Sequence, residues 1–555
     1  MKTRIAFIVI VIMVLAGKLQ AQTKQQINNL ATFAKVWGFL KYYHPQVAKG
    51  NPNWDEEWVK STLTIKKIET NEEFKRFIIN WYSSIPKVKL SNTITQLNSD
   101  SVYRVFNEKD IKRYNIPAGM KQELMNLYLY HQPDSSKYIS NLSGPYKLDY
   151  VWHNEEAFAN PAYPDEAHRL LALVRYWNII NYFYPHKKEF APNWNKVLTD
   201  FIPQFMADKD AAEYRQTFMK LTAQIKDSHS FFVQKEWDAA HKQNPPFLVY
   251  YIDGKYIIGN SQYEQLMKKH DLRAGDEILA INGRSIDDCV KYLTPLTTGS
   301  NAACLHRNIG ESLFRIDTGN TANLSTRRNG MVINQQISLY SYGDLYQHRS
   351  KNHPPLWVNM GNGVWYVRFC KITDNKSLVK MYNDIKDAKS MIWEMRDYPY
   401  FPTVQAFLPG LIARRVANEV NYDGELFYPG MFKAKVDQIP LAPDTLKLPL
   451  YKGKLIVLVN EFTQSLAESV AAELSNRPNT IVVGRQTAGA TGNMLFTDFP
   501  GGIEDSYTAV KVVGLNNSFK QGQGVKLDKK ISLSIKRMQS SPDYELQQAY
   551  LEAVK

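Results

Sequence analysis

Cysteine is scarce: Cys289, Cys304 and Cys370 are the three in a chain of 555 residues. Their spacing suits neither a disulfide scaffold nor a metal site, and leaves open one disulfide with one thiol over. There is no basic block. The formal net charge is +14, but lysines and arginines are spread along the chain, which speaks for general surface charge and against a nucleic-acid footprint. Past the amino terminus no apolar run reaches the ~20 residues of a membrane-spanning helix. At the amino terminus Lys2 and Arg4 precede an apolar run from Ile5 to Ala16 and a Leu19-Gln20-Ala21 end. That is the pattern of a secretory signal peptide over residues 1–21. A retained anchor is the alternative, although the run is short for one. No cysteine follows the expected cleavage point, which argues against a lipoprotein. An exported protein, periplasmic or secreted, is therefore expected, with 14 − 3 = +11 charges once Lys2, Arg4 and Lys18 are removed.

What is present is enough for about three or four domains at ~100–200 residues each. Laid on itself at an offset of 140 residues (177 − 37), the chain matches Trp37 to Pro45 with Trp177 to Pro185, and Pro52-Asn53-Trp54 with Pro192-Asn193-Trp194. Each copy predicts an amphipathic helix ending near the proline and a second helix after the Pro-Asn-Trp turn. The copies fall at residues 22–91 and 164–245; the connector, 92–163, has no clear reading. Their many aromatics are expected to be core, the other possibility being a sugar-binding surface.

Asn244-Pro245-Pro246 marks a boundary. The run Leu272-Arg273-Ala274-Gly275-Asp276-Glu277-Ile278-Leu279-Ala280-Ile281-Asn282-Gly283 resembles the core of a PDZ domain, against the plainer reading of an Asn-Gly hairpin in any β domain. The resemblance implies a PDZ-like module over residues 246–342 that adds the carboxyl-terminal segment of a peptide to a sheet edge.

From Leu455 to Val459 runs an apolar, β-branched stretch, as in a parallel strand covered on both faces. Ser465 then opens a segment of helical spacing, with Glu468 in its first turn, and Ile481-Val482-Val483-Gly484 predicts the next strand. A serine between a strand's carboxyl end and a helix start is most simply an N-cap. It also stands where free backbone N–H groups could hold an oxyanion. Asn460, Thr463-Gln464-Ser465-Leu466-Ala467-Glu468 and Val483-Gly484-Arg485-Gln486-Thr487-Ala488-Gly489 resemble the signature of the S41 peptidases, the tail-specific or C-terminal-processing proteases. The resemblance implies that Ser465 is the nucleophile of an α/β catalytic domain of the ClpP/crotonase type, at residues 355–555.

One branch of that family activates the serine with a lysine 25 residues on. Here that position is Ala490, and no lysine occurs between Lys454 and Lys511. The tricorn-type branch uses a histidine from a Ser-His pair, and Asp227-Ser228-His229 ends the second helical copy. The resemblance then makes His229 the general base, steadied by Ser228 or Asp227. Where the family carries a glutamate near the carboxyl end, this chain has Gln521 and Gln523. Where it has a glycine-rich oxyanion turn, this chain has Tyr398-Pro399-Tyr400-Phe401. Leu466, Gly489 and Tyr398 are the candidate oxyanion or loop residues.

The expected architecture is multidomain: an α-helical duplication, a PDZ-like β module and an α/β catalytic core. The expected function is that of an exported serine endopeptidase acting on unfolded or C-terminally presented polypeptides, with no metal or cofactor. Two alternatives stand beside it, a pseudoenzyme that binds peptides and a glycan-associated envelope factor.

Overall fold

The computed structural model describes residues 23–50, 53–94, 101–131, 135–141, 150–155, 162–241, 243–348, 354–412, 419–436 and 446–555. The expected signal peptide lies outside them. Among the described residues no helix is long and apolar enough to cross a membrane.

The amino-terminal region is helical. Helices α1 (Lys24–Tyr43) and α2 (Trp54–Ile65) form one pair; α3 (Glu166–Phe183) and α4 (Trp194–Ala207) form another, followed by α5 (Ala211–Thr222). Each pair is closed by the same clasp. The indole N–H of Trp37 donates to the carbonyl of Trp54 (2.9 Å), and that of Trp54 to the carbonyl of Trp37 (3.0 Å). Trp177 and Trp194 repeat this at 2.8 and 2.9 Å. These tryptophans and Trp58 are buried, so they are core and offer no face to a sugar. α1 and α3 approach closely at Gly38, where a Cβ would sit 1.9 Å from Asn178 Oδ1.

The second unit is a five-stranded antiparallel run in the order β5-β4-β3-β2-β1, made by β1 (Val249–Ile252), β2 (Lys255–Ile258), β3 (Glu277–Ile281), β4 (Thr321–Arg328) and β5 (Met331–Ser338). Helix α6 (Ala302–Ser312) lies beside the edge strand β1.

The third unit is a sheet in the order β6-β7-β8-β9-β10-β11, from β6 (Trp357–Asn359), β7 (Val364–Val367), β8 (Ser390–Glu394), β9 (Lys454–Val459), β10 (Thr480–Gly484) and β11 (Lys529–Lys530). β6 pairs antiparallel; the other pairings are parallel. Helices α7 (Asn375–Ile385), α8 (Phe401–Leu411) and α9 (Leu466–Ser475) contribute to its cover. Leu455 to Val459 are each 0% exposed, as an unbroken apolar strand requires.

Two features tie the units together. Strand β12 (Ile503–Thr508) pairs with Val233–Gln234, just past the second helical pair. Leu495, Phe499, Ile503 and Tyr507 belong to the helical unit's core. The chain therefore returns to the helical unit after the whole PDZ-like excursion. Helix α10 (Ile535–Ser540) and α11 (Tyr544–Ala553) end the fold. Met538 of α10 packs on Ile252 and Ile257 of the second unit. All three cysteines are free and buried, which removes the disulfide that the sequence left open.

Candidate active site

Ser465 sits between β9 and α9, at the carboxyl edge of the parallel sheet, where ligand sites of such sheets lie. Its backbone is at φ 58°, ψ −121°, a conformation costing a non-glycine residue about 1–3 kcal/mol, found where function demands it. A serine on a strained strand-to-helix turn is the form of a nucleophile elbow. Ser465 N–H donates to Glu468 Oε2 (3.3 Å) as in a capping box, but its positive φ is not the extended backbone of an ordinary N-cap.

The turn is braced from inside. Glu468 is fully buried and accepts from the N–H groups of Gly489 (2.8 Å), Ala490 (3.0 Å) and Ser465 (3.3 Å), and from the Thr487 hydroxyl. Burial pushes its carboxyl up to about 7. In this structure the Gly489 N–H is engaged by Glu468. Leu466, the first residue of α9, has no intrahelical acceptor for its N–H. Tyr398 is exposed and lines a cleft with Arg396, Asn460 and Phe462.

His229 comes from the far side of the chain, 465 − 229 = 236 residues away. Gln464 Nε2 donates to the Ser228 carbonyl (2.9 Å), Ser228 Oγ to the Ala488 carbonyl (3.0 Å), and Ser465 N–H to the Ala490 carbonyl (2.9 Å). The residues flanking the serine and the histidine are thereby joined. Ser228 is used in these main-chain bonds and in exchange with Ser300, whose hydroxyl accepts from Ser228 N–H (2.9 Å) and whose N–H donates to Ser228 Oγ (2.7 Å).

The imidazole is oriented by a residue absent from the sequence reading. Thr508 Oγ1 donates to Asp227 Oδ1 (2.8 Å), so its lone pair is left to accept from His229 Nδ1–H (2.9 Å). Asp227 Oδ2 accepts from Thr508 N–H (2.7 Å), and Oδ1 from His229 N–H (3.0 Å). This Asp-Thr-His relay puts the proton on Nδ1 and the lone pair on Nε2. Burial lowers the pKa of His229, Asp227 opposes this and His186 adds to it, which favours the neutral base. Nε2 is buried and without a hydrogen-bond partner. The expected bond from Ser465 Oγ to this nitrogen is accordingly not formed in this structure.

Gln521 and Gln523 part company. Gln521 is buried and its Oε1 accepts from Thr491 N–H (3.4 Å), with Nε2 unpartnered; Gln523 is exposed on the following turn. The second unit also reaches in. Arg307 of α6 donates to the Glu461 carbonyl (2.9 Å) and to Gln464 Oε1 (2.8 Å), and Asn301 to the Thr487 carbonyl (2.8 Å). Asp505, buried beneath Ser230, has its carboxyl raised to about 8 by burial. Of these residues only Glu468 left a trace in the sequence, as the Ser-x-x-Glu of a capping box. Among the described residues no cluster of histidine, cysteine or carboxylate side chains could hold a metal ion.

Residues 404–531 match the model of peptidase family S41, and residues 242–329 that of a PDZ domain. No curated protein matches the chain. Among solved structures, mature CPAF complexed with lactacystin is similar at 13% identity over 70% of this chain and 98% of that one, with a TM-score of 0.53. Mature CPAF alone gives 13%, 70%, 96% and 0.51. Likeness at this identity shows a common fold.

Proposed function

From the premise that its catalytic domain belongs to peptidase family S41, making this chain a serine-type peptidase, we propose that it is an exported endopeptidase working through Ser465 and His229. The carrying observation is the relay from Asp227 through Thr508 to His229, which leaves a lone pair on Nε2 beside a strained serine turn. In this reading the pair comes into bonding when substrate is bound, since catalytic hydrogen bonds are often loose in apo structures.

In this reading His229 Nε2 takes the proton of Ser465 as Oγ attacks the scissile carbonyl. It later gives that proton to the leaving amine, and water repeats the sequence on the acyl-enzyme. Leu466 N–H, at a helix amino terminus, stabilises the oxyanion, with Tyr398 N–H as the second donor. Ser228 fixes the main chain under His229, a positioning role. Gln521 stands where the family has a carboxylate and contributes a neutral amide. Export is supported by the signal-like residues 1–21. A peptide-binding pseudoenzyme is the second reading, favoured by the unmade Ser465–His229 bond and by the occupied Gly489 N–H.

A fluorophosphonate probe separates the two. Labelling of the intact protein that vanishes in Ser465→Ala and falls by about 10²–10⁴ in rate in His229→Ala, with both variants folded, is the enzyme's result. Labelling of Ser465→Ala, or no labelling of the wild type, refutes the assignment.

A further inference from the structure

The register of the parallel sheet puts three residues at one level beneath the site. Glu394 of β8 pairs with Leu458 of β9, and Val459 of β9 with Gly484 of β10. Arg396, Asn460 and Arg485 therefore stand side by side, just past the carboxyl ends of three adjacent strands spaced ~4.8 Å apart. Each one opens a loop of the site. Arg396 leads to Tyr398, Asn460 to Ser465, and Arg485 to Gly489 and Ala490, whose N–H groups Glu468 holds.

All three converge on one carboxylate, that of Glu545 in the first turn of α11. Arg485 Nε donates to its Oε1 (2.6 Å), while Arg396 Nη1 (3.0 Å) and Asn460 Nδ2 (3.4 Å) donate to its Oε2. The two outer strands reach inward with long guanidinium side chains and the middle strand with a short amide. A carboxylate can only accept, so Asn460 turns its Nδ2 towards Glu545 and keeps Oδ1 for the N–H of Phe462 (3.0 Å). Asn460 N–H donates to Thr463 Oγ1 (3.0 Å), whose own proton goes to the Met395 carbonyl (2.8 Å). The turn that ends in Ser465 is thus fixed from its first residue. Arg485 pairs as well with Glu461 (2.8 Å), inside the same turn. Glu545 is buried; burial opposes its charge, but Arg485 and Arg396 hold its carboxyl below the ordinary value.

The seat of α11 does not depend on this carboxylate. Ala549 and Ala553 share a core with Ile392, Ile456 and Leu458. The Ala553 carbonyl accepts from Ser390 Oγ (2.7 Å), and that of Glu552 from Lys454 Nζ (2.7 Å). Asp543 binds Arg396 twice more (2.9 and 2.6 Å). What Glu545 adds is a common anchor for Asn460 and Arg485.

We propose that Glu545 is a positioning residue of the peptidase site, holding the ends of β8, β9 and β10 at the level where the loops of Tyr398, Ser465 and Gly489 meet. The proposal rests on the peptidase reading and adds to it a residue of the last helix, 545 − 465 = 80 residues past the serine.

The test uses the full chain in three variants. Glu545→Gln keeps the length and loses the charge, Glu545→Asp keeps the charge and draws it back by one methylene, and Glu552→Gln is a charge control on the same helix. Peptide turnover is measured at a temperature at which circular dichroism shows each variant folded. A misplacement of about 1 Å costs on the order of 10²-fold, so kcat should fall about 10- to 100-fold in both Glu545 variants, with KM little changed and Glu552→Gln like the wild type. A purely structural role would leave kcat per folded molecule intact. Hydrogen exchange reads the positioning without turnover: residues 460–466 and 485–491 should exchange faster in Glu545→Gln than in the wild type, and residues 375–385 no faster. Full kcat in either folded Glu545 variant, a rise in KM alone, or unchanged exchange in both segments overturns the proposal; if Glu545→Gln does not fold, Glu545→Asp decides by the same readouts. A wild type that neither cleaves peptides nor takes the fluorophosphonate sinks the peptidase reading, and the exchange result then decides the anchoring by itself.

Discussion

Thr508 shows how much one side chain decides. Its single hydroxyl proton goes to Asp227, which dictates that His229 gives its Nδ1 proton and keeps Nε2 free. Valine at 508 has the same shape but neither donor nor acceptor, so Nδ1–H is left buried and unpaired at about 1–3 kcal/mol. Thr508→Val is expected to lower kcat/KM about 5- to 150-fold, each tenfold being about 1.4 kcal/mol; Thr508→Ser should restore most of it. An equal loss in both variants would show that only packing is at stake. The same residue-level chemistry sets the pH profile. His229 is depressed by burial, so it remains a base below the ordinary histidine value of about 6.5, and the acid limb of kcat/KM should fall below that value. In stability the sign is the same: the unfolded chain binds the proton more readily, so this contribution is present above about 6.5 and lost as pH falls. An acid limb above 7 would rule His229 out as the base.

At the scale of elements, the doubled tryptophan clasp makes a prediction of its own. Trp54→Phe and Trp194→Phe each remove one indole N–H from a reciprocal pair and leave a buried carbonyl short of a donor. Each should cost about 1–3 kcal/mol in denaturant unfolding, and a loss confined to one copy would show that the two pairs carry unequal weight. The elements were also where the sequence was most readable. The strand expected at Leu455 to Val459 spans Lys454–Val459, and the helix expected from Ser465 is Leu466–Ser475, because unbroken apolar and 3.6-period patterns are local signals. Helix α7, Asn375–Ile385, is opened by Asp374, whose carboxylate caps Ser377 N–H at 2.8 Å. What stayed hidden depends on distant partners. Val102–Arg104, in the connector, becomes a strand by pairing with Met431–Val436, and three residues carry no period to read. Thr508 likewise has meaning only beside Asp227, 281 residues away.

For the whole molecule the shared core is decisive. Leu495, Phe499, Ile503 and Tyr507 are at most 4% exposed, and they are buried against the helical unit. Residues 355–555 expressed alone would present these four side chains to water and lack the strand partner Val233–Gln234. Such a fragment is expected to bind a hydrophobic dye and melt without a cooperative transition, while the chain from residue 23 melts cooperatively. A sharp transition in the fragment would mean that the catalytic sheet stands by itself.

The late pairing of β12 with Val233–Gln234 also has a consequence in time. A ribosome makes His229 long before Ser465, and makes Thr508, which orients the imidazole, later still. Until the last fifty or so residues have emerged, the proposed base has no fixed tautomer, its strand has no neighbour, and the serine turn is not yet closed by the residues around 521. On the proposed mechanism, a chain that ends before Ile503 lacks both the strand that pairs with Val233–Gln234 and the Thr508 hydroxyl that fixes the imidazole tautomer.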